Sequence, residues 1–476
     1  MGGEGRRAIG LVAIAYAAIT ALVVLQTAVL RAIPYDSSSF GVLVTSFRIA
    51  FFAADLVLFT ACIALAKRHA PAKPFASAAV ATSAISVLAG VVGLSARSFG
   101  AHRAFDSFAV AAGAAESWIA VGTSVLVLLS LRAALGASSR EEVPTPRAVL
   151  GATVAFFVAA ALWAALSVAR MTSRELHSVT FAWLVWGVEI AKVGALASCG
   201  VFALRAQPTK AAKDDAATAP YRGRESAREG GASEEADAES VALRPPDPAT
   251  LEPLQRALGG VNLYRIGFWS RLAVAVVLTV VSVIAASGLW LVLVLVPAGG
   301  AATALVMLLG LRRQMVLPSL RSGRRLALAM APLGLAGLVD GLTALAILGA
   351  GVSMSGWRAQ DTATWLWAMA YPTSALLAWL SIALLAGATA HAGRTLGRDV
   401  LVRRAQSVQA LAVVVVTLAP AILVAAGSAS RGDGAVFVAL GLSLVLIVAT
   451  IAFFVVQLLA QIELARALRD RLFMVR

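Results

Sequence analysis

Six ionisable residues stand inside long apolar runs of this 476-residue chain: Arg48, Asp55, Glu116, Glu189, Lys192 and Asp340. In hydrocarbon each such charge costs about 2.5–3.5 kcal/mol to insert, so each marks a proton, ion or substrate pathway or a charge pair. Three of the acids recur at one spacing. "SFRIAFFAAD" (46–55), "SFAVAAGAAE" (107–116) and "TFAWLVWGVE" (180–189) each read a hydroxyl residue, a Phe, seven residues and an acid. Glu189 and Lys192, three apart, can touch on one helix face. Arg48 and Asp55, seven apart, share a face about 10 Å apart along the axis. With three acids and two bases in the first half, one carboxylate is formally left over. A carboxyl group without a counter-ion in a low-dielectric interior holds a proton more readily than in water, which is what a proton carrier needs. The structural alternative is an interhelical ion pair that only fixes packing.

The elements that would position these residues follow from composition. The chain is 60% hydrophobic and 14% charged, with mean hydropathy +0.85, which excludes an ordinary soluble protein and predicts an all-α polytopic membrane protein. Its pI near 11.0 suggests nucleic acid at first sight. The basic residues, however, are scattered among short loops rather than gathered into a domain, so no nucleic-acid partner is expected.

A transmembrane helix needs about 20 apolar residues. Twelve runs qualify: 8–30, 41–66, 77–95, 108–131, 148–169, 179–204, 266–286, 289–311, 326–352, 364–390, 408–428 and 435–460. The division of the seventh from the eighth rests on Ser287–Gly288 alone. The first run follows Arg6 and Arg7 and exceeds a signal-peptide core, so it reads as an uncleaved span. With the N-terminus inside, inner segments hold 21 Lys and Arg residues and outer ones 7, which places both termini in the cytoplasm. High Ala, Arg and Val usage suggests a GC-rich bacterium and hence its inner (plasma) membrane.

The domain plan is a six-helix half (1–204), a linker (205–262), a second six-helix half (263–460) and a basic amphipathic cytoplasmic tail (461–476). Residues 205–258 hold eight basic and ten acidic residues among Ala, Pro and Gly, a composition that cannot bury a core. From Thr250 the sequence "TLEPLQRAL" offers a helix cap and apolar spacing. The tail is expected to lie at the inner membrane surface. In the first half the acids fall in the second, fourth and sixth spans, roughly 12–20 Å below the outer surface, so three parallel hairpins would each supply one. In the second half "WLVLVLVP" (290–297) and "WLWAMAYP" (365–372) echo each other, but Ala298 and Thr373 fill the acid slot. Pro297, Pro332, Pro372 and Pro420 all interrupt spans of this half. Asp340 is its one expected mid-membrane charge, among Gly334, Gly337 and Gly341, whose spacing predicts close helix packing. Arg265 and Arg271 are expected at the inner rim, snorkelling to water.

Six plus six spans about a central cytoplasmic segment are similar to the major facilitator superfamily, in which solutes bind near the midplane between the halves. The loop "AKRHAPAKPFA" (66–76) lacks that family's Gly-x-x-x-Asp-Arg-x-Gly signature, and no residue is carried over. The expected function is a proton-coupled secondary transporter of a small solute with its site between the two halves. The alternative is a non-transporting sensor, scaffold or subunit of a membrane assembly, with 205–258 as its protein-binding segment. The expected partners are the lipid bilayer, a small solute or proton, and a protein at the linker. No enzyme is expected, because HExxH, P-loop and Asp-rich phosphate motifs are missing. No cofactor or metal is expected either. Cys62 and Cys199 lie in spans without a CxxC pattern, and His69, His102, His177 and His391 lie in loops or at span ends.

Overall fold

The computed structural model describes residues 3–32, 38–98, 103–136, 147–172, 179–205, 251–284, 289–315, 323–353, 357–427 and 433–473. They form helices α1 (Gly3–Ala32), α2 (Ser38–Arg68), α3 (Lys73–Ser98), α4 (Arg103–Gly136), α5 (Arg147–Thr172) and α6 (Val179–Arg205), then α7 (Leu251–Ile284), α8 (Leu289–Gln314), α9 (Gly323–Ser353), α10 (Trp357–Thr395), α11 (Asp399–Gly427) and α12 (Asp433–Phe473). Each expected apolar run falls in its own helix. Helix is the answer the bilayer demands, since it satisfies every backbone polar group within the segment. Among the described residues ten of these helices are long and apolar enough to cross a membrane; the exceptions are α5, whose apolar stretch is Gly151–Trp163, and α7. The protein is thus an all-α polytopic membrane protein. The turn expected at Ser287–Gly288 and most of the linker (206–250) lie outside the described residues, as do His102 and His177.

By internal packing the chain divides into two units, Met1–Ala219 with Val413–Thr450 and Pro220–Ala412 with Ile451–Arg476. In the first unit α1 packs on α2, α2 on α3 and α3 on α4, α6 packs on α1 and on α5, and α4 touches α6. Small residues allow the approach: a Cβ on Gly200 of α6 would lie 2.9 Å from the Ala13 Cα of α1. Polar side chains tie the same helices. Thr123 of α4 donates to Thr82 of α3 at 2.8 Å, and the Tyr16 hydroxyl of α1 donates to Ser124 of α4 at 3.4 Å.

In the second unit α7, α8, α9 and α10 pack in succession. A core of Tyr264, Phe268, Met307, Leu333, Leu385 and Phe453 lies among them and α12. The 39 residues of α10 and the 41 of α12 span about 60 Å each, about twice the hydrocarbon thickness. Their surplus length, at the end expected to face the cytoplasm, is packed. Leu254, Ala257 and Val261 of α7 meet Ala392, Leu401, Leu464 and Leu468 in a second core. Two features stand out here. The helix expected from Thr250 starts at Leu251, inside the 205–262 segment. The apolar face of the C-terminal tail, expected on lipid, is buried against protein while Arg466, Arg469 and Arg471 face outward. Both features have one cause: an apolar stripe covered by a neighbouring helix leaves water entirely. Arg398–Asp470 at 2.6 Å and Arg404–Glu463 at 3.2 Å rim this core.

The α10–α11 junction is correspondingly short. Gly397 has φ +64°, the Arg398 amide donates to the Gly393 carbonyl at 2.8 Å, and the Gly397 amide donates to Arg394 at 3.1 Å. This paired pattern closes the helix through a left-handed residue, which glycine adopts without Cβ conflict.

Helices α7 and α8 cross with their backbones in close approach. A Cβ on Gly260 would lie 2.7 Å from the Gly310 carbonyl oxygen, whereas one on the adjacent Gly259 meets nothing within 4 Å. Gly260→Ala is therefore expected to cost about 1–3 kcal/mol by overpacking, and Gly259→Ala to be neutral or slightly stabilising through helix propensity. Thermal melts of the two purified variants should separate them in that order.

Candidate functional site

The repeated acid of α2, α4 and α6 acquires a common destination in the first unit. Asp55, Glu116 and Glu189 line a single cavity of about 380 Å³, together with Lys192. All six helices of the first half contribute to it. Helix α1 supplies Tyr16 and Gln26, α3 supplies Ser83 and Ser86, and α5 supplies Trp163. Helix α4 presents Glu116, Ser117, Ala120, Thr123 and Ser124, which is one stripe at helical spacing. Helix α6 presents Trp186, Glu189 and Lys192 in the same way. Every lining residue belongs to the first half, so this cavity lies inside that half and not at the expected place between the two halves.

The three acids are handled differently. Glu189 is paired: Lys192 Nζ lies 2.7 Å from its Oε2, and the lysine is buried with a side-chain exposure of 5%. The same ammonium stands 4.4 Å from the ring centroid of Trp163, so a carboxylate and an aromatic face share one cation. Trp163 is held by an edge contact with Trp118 of α4, ring centroids 5.1 Å apart. Glu116 feels the charges of Asp55, which repels it, and of Arg48, which attracts it. Among the described residues no ion pair or hydrogen bond satisfies Asp55 or Glu116. Arg48 itself is exposed on α2, two turns from Asp55 on the face that carries Phe51, Asp55 and Leu58, and does not line the cavity. The wall of the cavity therefore carries three carboxylates against one ammonium.

Asp340 belongs to the second unit and solves its charge by direct pairing. Arg271 Nη2 donates to Asp340 Oδ2 at 3.0 Å and to the Ser374 hydroxyl at 3.1 Å. This corrects the expected placement of Arg271 at the rim. Its head turns inward, because a carboxylate as buried as Asp340 attracts a guanidinium more strongly than distant water does. It also gives the Asp340 carboxylate a cationic companion in the interior of that unit. The room for this pair comes from Gly300 of α8: a Cβ there would collide with the Asp340 carboxylate. The expected glycine packing is present beside it. A Cβ on Gly337 would lie 3.0 Å from Ala304, and one on Gly341 would lie 3.7 Å from Ala301.

Sequence reasoning missed Tyr16, Gln26, Ser83, Ser86, Thr123, Ser124, Trp163 and Trp186. The hydroxyls of α3 and α4 carried a signal, since Ser83 and Ser86 are three apart and Thr123 and Ser124 lie two turns beyond Glu116 on its face. Tyr16 and Trp163 carried none. Among the described residues no group of three or more His, Cys, Asp or Glu side chains could hold a metal ion. No family model, curated protein or solved structure matches the chain.

The two interior pairs make graded predictions. Arg271→Met strands the buried Asp340 carboxylate and should cost about 3–5 kcal/mol, whereas Lys192→Met leaves the half-buried, cavity-lining Glu189 and should cost less, about 1–3 kcal/mol. The doubles Lys192→Met/Glu189→Gln and Arg271→Met/Asp340→Asn should recover much of each loss. The readout is a thermal-stability cycle on the purified proteins.

Proposed function

We propose that this multi-pass membrane protein is a proton-coupled secondary transporter of a small solute, with the α1–α6 cavity as its binding site. The observation that carries the reading is the convergence of Asp55, Glu116 and Glu189 on one cavity at membrane depth, two of them without an ion-pair partner among the described residues. Lipid cannot solvate such groups. They require water, a proton or a charged solute, and a cavity is what admits any of the three. Its volume lies in the range of small-molecule sites. We place the protein in a bacterial plasma membrane with both termini in the cytoplasm, on the strength of the Lys and Arg bias of the inner segments.

Reconstituted liposomes with an imposed pH gradient test the reading. Asp55→Asn and Glu116→Gln should each lower solute-dependent proton flux by at least about tenfold, the usual scale for loss of a positioned proton-transfer group. Equal flux in wild type and in both folded variants, or no flux with any solute across a broad panel, would refute transport.

A further inference from the structure

We infer that the α1–α6 cavity takes a small organic cation, a protonated amine on an apolar body, with its ammonium group at Asp55 and Glu116. The inference deepens the proposed binding role of that cavity and rests on it.

The protein supplies its own template. Lys192 shows what one of the three carboxylates accepts: an ammonium 2.7 Å from Glu189 and 4.4 Å from the Trp163 ring centroid. Asp55 and Glu116 line the same cavity without such a partner among the described residues. Phe51 and Trp186 supply further aromatic surface. A carboxylate beside an aromatic face recognises ammonium groups through Coulomb attraction and the ring quadrupole together. The wall carries three acids against Lys192, and even with Arg48, whose charge acts on Glu116, the acids outnumber the bases, which turns anions away.

Two observations set the size of the occupant. Among the described residues no three acidic, His or Cys side chains form a metal-binding group, and the pair Asp55 and Glu116 suits a single ammonium head. The cavity of about 380 Å³ suits a molecule rather than a bare ion. An independent polar group waits in the same wall. Ser86 is buried at 6% exposure, lines the cavity, and its Oγ has no hydrogen-bond partner. Buried hydroxyls are normally satisfied, so this one is available to a ligand or to the water around it.

The test is calorimetric titration of the full chain in lipid nanodiscs with benzylammonium and hexylammonium, each against its neutral alcohol. The expected result is saturable binding of at least one ammonium, ten or more times tighter than its alcohol. Asp55→Asn and Glu116→Gln should each weaken it at least tenfold. Equal binding of alcohol and ammonium, tighter binding of benzoate, or no binding of any probe overturns the inference. If a variant fails to assemble, the wild-type preference for ammonium over alcohol still decides. Ammonium binding without flux in liposomes ends the transport reading and leaves this one standing. Acid-dependent flux of a neutral solute without ammonium binding does the reverse.

Discussion

A charge inside a low-dielectric layer has to be matched locally, because bulk water is out of reach and the field of an unmatched ion is barely screened. Most of the interior arrangement answers that demand. In the second unit the answer is a closed cluster, with Arg271 shared between Asp340 and Ser374 and Gly300 kept bare to admit it. In the first unit one acid is matched by Lys192, and the other two open on a cavity. The two solutions differ in kind. The cluster of the second unit fixes helix positions and meets its charge within itself, although Arg271 Nη1 is left buried without a hydrogen-bond partner. A cavity with uncompensated charge is an unfinished cluster, completed only by what enters.

Hydroxyl groups show how little polarity in a span need signal a site. Thr20, Thr27, Thr153 and Ser130 each donate to the carbonyl one turn back on their own helix, at 2.6–2.8 Å. Such bonds satisfy the hydroxyl at almost no structural cost and explain why Ser and Thr are tolerated at this depth. The informative hydroxyls are those that cross between helices, as Thr123 does to Thr82 and Ser381 does to the Ala329 carbonyl at 2.7 Å. Ser86, which does neither, stands out against that background.

Helix identity was legible because the bilayer imposes a length and a polarity that no soluble helix shares. The Ser or Thr, Phe and acid spacing led to three residues that do meet at one cavity, and the i, i+3 relation of Glu189 and Lys192 was enough to foresee their contact. The location of the cavity was not legible. Periodicity gives the face of a helix but not the helix it faces, so Tyr16 of α1 and Trp163 of α5 could not be assigned to the same wall as Asp55. Arg271 failed for a related reason. A residue near a span end has two competing partners, water and any buried acid, and only tertiary contact decides between them. The start of α7 was legible in the cap and apolar spacing of "TLEPLQRAL", but what Leu254, Ala257 and Val261 pack on was not, because α10, α11 and α12 are remote in sequence.

Lys192 separates two kinds of counter-ion within one cavity. It is tethered by its own backbone to the helix that carries Glu189, so its occupancy is the same whatever the solution on either side contains. On the proposed reading the compensation of Asp55 and Glu116 would be exchangeable and would follow the composition of that solution. The net charge of the cavity is then a variable with one part held constant. Any motion that carries such a cavity through the membrane field does electrical work in proportion to that variable, about 2.3 kcal/mol per elementary charge per 100 mV. Occupancy at the two acids would thus set how strongly membrane voltage biases the cavity toward one face, and Lys192 would set the zero of that scale.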